Sequence, residues 1–200
     1  MSTTQRTADV VLVDYGLGNL RSVTRGLERA GAAVTLSADP ADFDAADGIV
    51  LPGVGAFSEG MDNAGPFRGA LVDAAAEGRP LFGICLGMQM LLTTSEEAET
   101  VGQGDVRGLD LVPGTNLRFD EGQKVSHMGW IDGDYAYFVH SYYAAPDDES
   151  AAVATTDYGV EFPAIVANEA GNVFGTQFHP EKSSDTGLRI LRNFVEYCLE

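Results

Sequence analysis

The 200-residue sequence has very little positive charge, and almost all of it is arginine. Lysine occurs only at Lys124 and Lys182, and 12 Lys and Arg residues against 30 Asp and Glu give a formal net charge of −18 at pH 7. Nucleic acids and anionic membranes attract proteins through Lys and Arg, so this balance argues against both as partners. Excess acid with almost no lysine is typical of proteins that stay hydrated in concentrated salt, although an ordinary acidic protein is the alternative.

The sequence also lacks a disulfide framework, a targeting segment and a long apolar run. Its two cysteines, Cys85 and Cys198, lie far apart, and Cys198 falls on the apolar face of a predicted helix, where packing is its expected role. No stretch approaches the roughly 18 consecutive apolar residues of a transmembrane helix. Residues 1–8 are polar, which argues against a signal peptide and predicts a flexible N-terminal tail. These absences predict a soluble, cytoplasmic protein.

The first half of the chain alternates short apolar runs with helical patterns. Hydrophobic residues make up 44% of the sequence and charged residues 21%, which is enough apolar side chain to build a core. The apolar runs are 10–14, 33–36, 48–51 and 80–84, and the helical patterns are 19–30, 66–76 and 86–92. Continuous apolar strands separated by helices predict a parallel sheet covered on both faces.

Beyond residue 93 the pattern changes to strands joined by turns. Segment 95–105 is polar and predicted to be exposed; strands are predicted at 124–128, 135–140, 151–158, 163–168 and 173–178, and a helix at 186–199. We therefore predict one α/β domain over residues 1–200. Its expected core is a mostly parallel, flavodoxin-like doubly wound sheet, with an antiparallel strand extension in the C-terminal half.

A cysteine flanked by glycines is the sharpest local feature. Segment 82–89 reads Phe-Gly-Ile-Cys-Leu-Gly-Met-Gln, so Gly83 and Gly87 lie two residues on either side of Cys85. This is the pattern of a nucleophile elbow, in which glycines permit a sharp, strained turn from strand to helix. The sulfur would lie at the helix N-terminus, which favours thiolate over thiol. The alternative is a buried structural cysteine.

A nucleophile needs a base, and the chain has three histidines, His127, His140 and His179. His179 ends an apolar strand, and Glu181 follows it after one proline. Residues two apart in an extended chain point to the same side, so the carboxylate can orient the imidazole as the third member of a triad. Alone, this segment could be a solvated turn; together with Cys85 it predicts a Cys-His-Glu triad.

Glycines also follow the apolar strand at 48–51. Gly53 and Gly55 leave backbone N–H groups bare, at the end of a sheet where ligands bind, which suits an oxyanion hole. A tight loop is the alternative. An earlier glycine-rich segment begins like a dinucleotide fingerprint, but Arg21 occupies the position of its third glycine and Asp14 would repel a pyrophosphate. We therefore expect no cofactor and no metal.

Taken together, these segments resemble the class I glutamine amidotransferase family over nearly the whole chain. Segments 14–23, 52–57, 125–130 and 137–142 are similar, more narrowly, to the glutaminase subunits of imidazole glycerol phosphate synthases. The resemblance implies hydrolysis of L-glutamine to glutamate and ammonia. It further implies a heterodimer in which the ammonia is channelled to a (β/α)₈ synthase subunit. That subunit would make imidazole glycerol phosphate and AICAR from PRFAR in histidine biosynthesis.

The resemblance also implies roles for individual residues. Cys85 would be the nucleophile, His179 the acid and base, and Glu181 the group that orients His179. Glutamine and its oxyanion would be held by Gly53, Gly55, Leu86, Gln89, Ser141 and Tyr142. The partner interface would include Asn19, Arg21, His127 and Trp130, while His140 would be structural. Ser126 and Ile131 stand where the family has Pro and Asn, so that detail of the interface is in doubt.

Three other functions compete with this reading. A glutaminase that feeds pyridoxal phosphate synthase would share the elbow and triad but lack segments 14–23 and 127–130. An inactive partner-binding module would not need an intact triad. A thiol hydrolase or chaperone-like protein on the same fold would have no use for Gln89 together with the oxyanion glycines.

Overall fold

The computed structural model of the chain describes residues 6–97, 106–120, 126–131 and 134–200. Its strands are β1 (Asp9–Val13), β2 (Ala33–Ser37), β3 (Gly48–Leu51), β4 (Leu81–Ile84), β5 (Thr94–Ser95), β6 (Gly114–Arg118), β7 (Ser126–Ile131), β8 (Asp134–Val139), β9 (Tyr142–Pro146), β10 (Ala152–Asp157), β11 (Glu161–Ala167) and β12 (Val173–Thr176). Its helices are α1 (Leu20–Ala30), α2 (Phe57–Asn63), α3 (Arg68–Ala76), α4 (Leu86–Leu91) and α5 (Ser184–Tyr197).

The largest sheet has the predicted mixture of parallel and antiparallel strands. Its order is β10-β11-β12-β4-β3-β1-β2. The pairs from β12 through β4, β3 and β1 to β2 are parallel, whereas β10–β11 and β11–β12 are antiparallel. The prediction of a mostly parallel, doubly wound sheet with an antiparallel extension is therefore confirmed, and the predicted hairpin at 163–168 and 173–178 is found as β11–β12.

The rest of the C-terminal half forms two smaller sheets, β5-β6-β9 and β7-β8. The strand predicted at 124–128 is observed as β7, from Ser126 to Ile131, and residues 124 and 125 lie outside the described residues. The prediction that segment 95–105 is exposed is wrong for Ser95, which is buried in β5. Residues 98–105 lie outside the described ranges.

Side chains of the central strands alternate between two apolar layers, as the two-residue repeat of a strand requires. Val10 and Leu12 of β1 pack in the layer that contains α1 and α5, whereas Val11 and Val13 pack in the layer of α2, α3 and α4. Helix α1 ends at the predicted Gly31, whose φ of 106° is the left-handed conformation that glycine adopts at little cost. The helices therefore cover both faces of the sheet.

Two described residues of the predicted N-terminal tail contact the rest of the chain. A flexible tail over residues 1–8 is wrong for Ala8, which is buried and whose carbonyl oxygen accepts a hydrogen bond from Ala33. Arg6 forms an ion pair with Asp47, and residues 1–5 lie outside the described residues. Across the described part of the chain, no helix has the length and hydropathy to cross a membrane.

Three neighbouring parallel strands bring the predicted site residues to one edge. Strand β4 lies between β3 and β12, and the register aligns Leu51 with Gly83 and Thr176 with Ile84. Each of these strands therefore ends at the same edge of the sheet. The segments that follow them carry the glycine loop, Cys85 and His179, so the topology alone gathers these groups at one place.

Candidate active site

Cys85 occupies a strained turn between β4 and α4. Its φ of 54° and ψ of −107° are unusual for a residue with a side chain, and such a conformation costs on the order of 1–3 kcal/mol. Close packing at the two glycines makes the turn possible. A Cβ on Gly83 would lie 2.7 Å from the carbonyl carbon of Gly87, and a Cβ on Gly87 would lie 1.9 Å from the carbonyl oxygen of Leu51. The backbone therefore has the geometry predicted for a nucleophile elbow.

Substitution of Gly87 tests how tightly this turn is packed. We expect Gly87→Ala to lower the free energy of unfolding by about 3 kcal/mol, because the new methyl group overlaps the Leu51 carbonyl and α4 must move away from β3. Thermal unfolding should show a fall in Tm of about 6–12 °C. Gly69→Ala is the matched control, since Gly69 lies exposed in α3 with no atom within 4 Å of the added Cβ. A Tm for Gly87→Ala equal to that of the control would contradict the packing.

His179 and Glu181 form a buried pair beside the elbow. Nδ1 of His179 lies 3.0 Å from Oε1 of Glu181, and the two side chains are 3% and 1% exposed. Sequence reasoning placed the pair on an extended segment, but Pro180–Lys182 is a 3-10 turn, and the turn brings the carboxylate to the imidazole. The backbone N–H of His179 donates to the carbonyl oxygen of Tyr137 in β8, which anchors the segment to the β7–β8 sheet.

The pKa of His179 reflects opposing influences. Burial lowers it, but hydrogen bonding and the negative charges of Cys85 and Glu181 raise it to about 9 in total. No described residue makes a hydrogen bond of good geometry with Nε2 of His179. The imidazole is therefore protonated at neutral pH, with Nδ1 turned to the carboxylate and its charge stabilised by the nearby sulfur.

A cavity of about 350 Å³ opens over Cys85. The predicted residues that line it are Gly55, Cys85, Leu86, Gln89, Ser141, Tyr142 and His179. Gly53 is the exception, because it packs inward, where a Cβ would lie 2.6 Å from Oη of Tyr15 and 2.7 Å from Cβ of Leu86. Val54 takes its place in the cavity wall. The small size of Gly53 serves the packing of the loop, and contact of this residue with the ligand stays a prediction.

Tyr15 supports this glycine loop from beneath. Its hydroxyl group donates a hydrogen bond of 2.6 Å to the carbonyl oxygen of Pro52, and it is buried beside Met90. Burial, together with the charge of Cys85, raises the pKa of Tyr15 above its ordinary value, so its hydroxyl keeps the proton that it donates. The loop at 52–55 is thus tied to β1 as well as to β3.

Gln89 lies on the first turn of α4, facing the cavity. Its Nε2 donates to the carbonyl oxygen of Tyr142 at 2.9 Å and to Oε1 of Gln177 at 3.2 Å. Both hydrogens of the amide nitrogen are used in this way. Among the described residues no group donates to Oε1 of Gln89, so this oxygen is the atom with which Gln89 can accept a hydrogen bond from a ligand.

Two polar residues of the site were not found from the sequence. Glu97 lines the cavity, and its Oε2 accepts a hydrogen bond of 2.6 Å from the backbone N–H of Phe57 at the start of α2. Gln177 is fully buried, and its Nε2 lies 3.9 Å from Sγ of Cys85. Glu97 lies within the polar segment 95–105, whose composition predicted exposure. Gln177 lies two residues before His179 and carries no charge, so neither residue gave a signal.

The remaining predicted residues lie outside the cavity or serve packing. His140 is buried among Phe119, Phe138 and Phe162, and its Nδ1 lies 2.8 Å from the carbonyl oxygen of Tyr142, although the residue also borders the cavity. Cys198 is buried, and burial with the charge of Asp47 raises the pKa of its thiol to about 12. In the described ranges no cluster of three His, Cys, Asp or Glu side chains is placed to hold a metal ion.

The predicted interface residues occupy two elements. Asn19 and Arg21 are exposed at the start of α1. His127 and Trp130 belong to β7, where they pair with Phe138 and Tyr135 of β8. The predictions for their side chains, and for those of Ser126 and Ile131, fall outside the described residues. Close to them, Met128 and Tyr135 are 54% and 52% exposed, so this sheet carries large apolar groups in contact with solvent.

Comparison with known proteins agrees with this geometry. The model of the family described as "Glutamine amidotransferase class-I" matches residues 11–198. "Imidazole glycerol phosphate synthase subunit HisH" of Natronomonas pharaonis is 82% identical, with all of both chains covered. The Haloarcula marismortui protein of the same name is 68% identical with the same coverage. A crystal structure of a glutamine amidotransferase has a TM-score of 0.74 at 22% identity, covering 95% of this chain and 99% of its own, and so shows the fold. A family model that spans nearly the whole chain, over a site of this form, places the protein in the class-I glutamine amidotransferase family.

Proposed function

We propose that the protein is the glutaminase subunit of an imidazole glycerol phosphate synthase. It hydrolyses L-glutamine to glutamate and passes the ammonia to a synthase subunit, which makes imidazole glycerol phosphate and AICAR from PRFAR in histidine biosynthesis. The observation that carries the chemistry is the strained Cys85 beside the buried His179–Glu181 pair, at the mouth of one cavity. The reaction and the partner are supported by full-length relatives that bear the name of that synthase subunit.

The first half of the reaction uses Cys85 as nucleophile and His179 as acid. The thiolate attacks the side-chain amide carbon of glutamine, and the carbonyl oxygen takes the negative charge of the tetrahedral intermediate. Because its pKa is about 9, His179 holds a proton at neutral pH and gives it to the departing nitrogen. Ammonia leaves, and a thioester to Cys85 remains.

The second half uses the same imidazole as a base. Formation of the thioester removes the negative charge of Cys85, which is one of the causes of the raised pKa of His179. The neutral imidazole then takes a proton from water, the resulting nucleophile attacks the thioester, and glutamate is released with regeneration of the thiolate–imidazolium pair. Glu181 fixes the tautomer and orientation of the ring through both steps.

The cavity has polar groups suited to each end of a glutamine molecule. Its volume of about 350 Å³ lies at the small end of ligand sites. The carboxylate of Glu97 suits the α-ammonium group, and Oε1 of Gln89 suits an N–H donor. The backbone N–H of Leu86, at the unpaired start of α4, and the N–H groups of the loop around Gly55 are suited to the oxyanion. Ser141 and Tyr142 also line the cavity.

Synthase-dependent glutaminase activity tests this function. The purified chain is mixed with a histidine-pathway synthase subunit or with a pyridoxal phosphate synthase subunit, in concentrated salt, and glutamate release is measured. We expect release to rise only with the first partner, and to rise further when a ligand of that synthase is added. Stimulation by the second partner alone, or no glutamate release with either, would contradict the proposal.

The exposed apolar groups of the β7–β8 sheet are expected to contribute to docking. Met128→Asp introduces a charge where we propose an apolar contact with the synthase. Loss of a central interface side chain costs about 1–3 kcal/mol of binding free energy, so the Kd for the synthase should rise about tenfold or more. Leu36→Asp is the matched control, because Leu36 is also about half exposed, at 50%, but lies far from the β7–β8 sheet. It belongs to β2, at one edge of the main sheet, whereas β10, the strand that packs against β7, is at the other edge. Calorimetric titration that gives the same Kd for both variants would contradict docking through this sheet.

A further inference from the structure

Gln177 links the proposed glutamine pocket to the nucleophile. It follows β12 directly, is 0% exposed, and is held by a backbone hydrogen bond from its N–H to the carbonyl oxygen of Ala164. Its Oε1 accepts from Nε2 of Gln89, and its own Nε2 donates toward Sγ of Cys85 at 3.9 Å. The oxygen and the nitrogen of this buried amide therefore both take part in hydrogen bonds, and the partner of the nitrogen is the sulfur of Cys85.

The direction of this chain of hydrogen bonds is fixed by its far end. The carbonyl oxygen of Tyr142 can only accept, so the atom of Gln89 that faces it at 2.9 Å must be the amide nitrogen. The same nitrogen faces Gln177 at 3.2 Å, so the atom of Gln177 in that contact must be an acceptor, Oε1. The remaining atom of the Gln177 amide is the nitrogen, which leaves an N–H directed at the sulfur of Cys85.

We propose that Gln177 is a further catalytic residue, whose amide N–H stabilises the thiolate form of Cys85 and holds the sulfur in its attacking position. A hydrogen bond from an N–H to an anion is stronger than one to a neutral group, so the contact favours ionisation of the thiol. Sγ of Cys85 also lies 3.9 Å from the carbonyl oxygen of Val139, which can accept a hydrogen bond from the S–H of the neutral thiol. The inference rests on the proposed function, in which Cys85 attacks as a thiolate.

Several titratable groups surround Cys85, and the test must hold them constant. His179 approaches from the segment after β12 with Glu181 behind it; Tyr15 approaches from the end of β1, and Glu97 and His140 border the cavity. Substitutions at Gln177 leave all of these in place. A change in the ionisation of Cys85 that is confined to such variants can then be assigned to the amide.

The measurement is the pH dependence of alkylation of Cys85 by iodoacetamide in the full-length chain, followed by mass spectrometry of the Cys85 peptide. Gln177→Met keeps the length of the side chain and removes the donor, and Gln177→Asn keeps an amide but withdraws it by one methylene group. We expect the midpoint of alkylation to move to higher pH by about one unit in both, with a rate at pH 7 about tenfold below wild type. Cys198 in the same samples should stay unreactive near pH 7, because burial and the charge of Asp47 raise the pKa of its thiol to about 12.

Thr176→Val is the control for loosening of the strand end, because it removes a buried side-chain hydrogen bond to Phe178 without contacting the sulfur. The inference would be overturned if the pH midpoint of Cys85 alkylation were unchanged in the Gln177 variants. It would also be overturned if Thr176→Val shifted that midpoint by the same amount. Tm values for each variant verify folding, and if Gln177→Met fails to fold, Gln177→Asn decides the question. Alkylation needs neither glutamine nor synthase, so failure of the proposed function would appear separately, as absent glutamate release by the wild-type chain.

Discussion

Replacement of Cys85 by alanine is expected to abolish glutamine-dependent synthesis by the complex while ammonia-dependent synthesis survives. The cavity wall contains no second thiol, because the other cysteine, Cys198, lies beside Gly48 at the start of β3, whereas the cavity lies beyond the other end of that strand. Loss of the nucleophile from a triad costs about 10⁴-fold or more in rate. Free ammonia reaches the synthase subunit without any step at Cys85, so the second activity should not change.

Both activities can be measured on one preparation of the complex, with glutamine or ammonium salt as the nitrogen source. Cys198→Ala is the matched control, since it removes the other buried thiol; we expect it to keep glutamine-dependent activity within about twofold, with some loss of stability from the cavity left behind. Glutamate release that persists in Cys85→Ala would show that Cys85 is not the nucleophile. Loss of both activities would instead show a failure of folding or assembly, which Tm and gel filtration detect.

Much of the fold was predictable because its signals are local in sequence. The apolar run at 48–51 and the run at 80–84 are observed as β3 and β4, since a strand buried on both faces must be apolar throughout. The division of the C-terminal half into separate sheets was not predictable. Which of its strands pair depends on contacts far apart in sequence, such as Gly114 with Pro146 in the β6–β9 pair.

The same distinction applies to the site. The glycines at positions 83 and 87 mark the turn at Cys85, and Glu181 lies only two residues from His179, so both features could be read from spacing alone. Gln177 and Glu97 acquire their positions only when the segments around them fold together. The sequence does not indicate that the amide of Gln177 lies beside Cys85, because the two residues are 92 positions apart.

Few of the acidic residues take part in the proposed chemistry. The carboxylates to which we assign a role at the site are Glu181, beside the imidazole of His179, and Glu97, which suits an ammonium group. Most of the net charge of −18 therefore belongs to the solvent-facing surface, in keeping with the halophilic sources of relatives such as those from Haloarcula marismortui and Halobacterium salinarum. We expect a synthase partner to be acidic as well, so that docking would depend on apolar groups such as Met128 and on screening of the repulsion by salt.

Replacement of Glu181 by glutamine should leave the protein folded but reduce glutamine-dependent kcat/KM by about 10³-fold or more. The glutamine side chain has the same shape, but it is neutral and its nitrogen can select the wrong tautomer of His179. Asp185→Asn is the matched control, because it also removes one carboxylate close by, from the exposed first turn of α5, and it should change activity less than twofold.

The pH profile separates loss of charge from a loss of packing. In the wild-type enzyme the imidazolium loses its proton near pH 9, so kcat/KM should fall above that pH. Glu181 is one of the groups that raises the pKa of His179, so its removal lowers that pKa and moves the alkaline limb of the profile to lower pH. A structural defect would reduce the rate at every pH and leave the limb in place. An unshifted limb in Glu181→Gln, in a variant with wild-type Tm, would therefore rule out the carboxylate as the partner that keeps His179 charged.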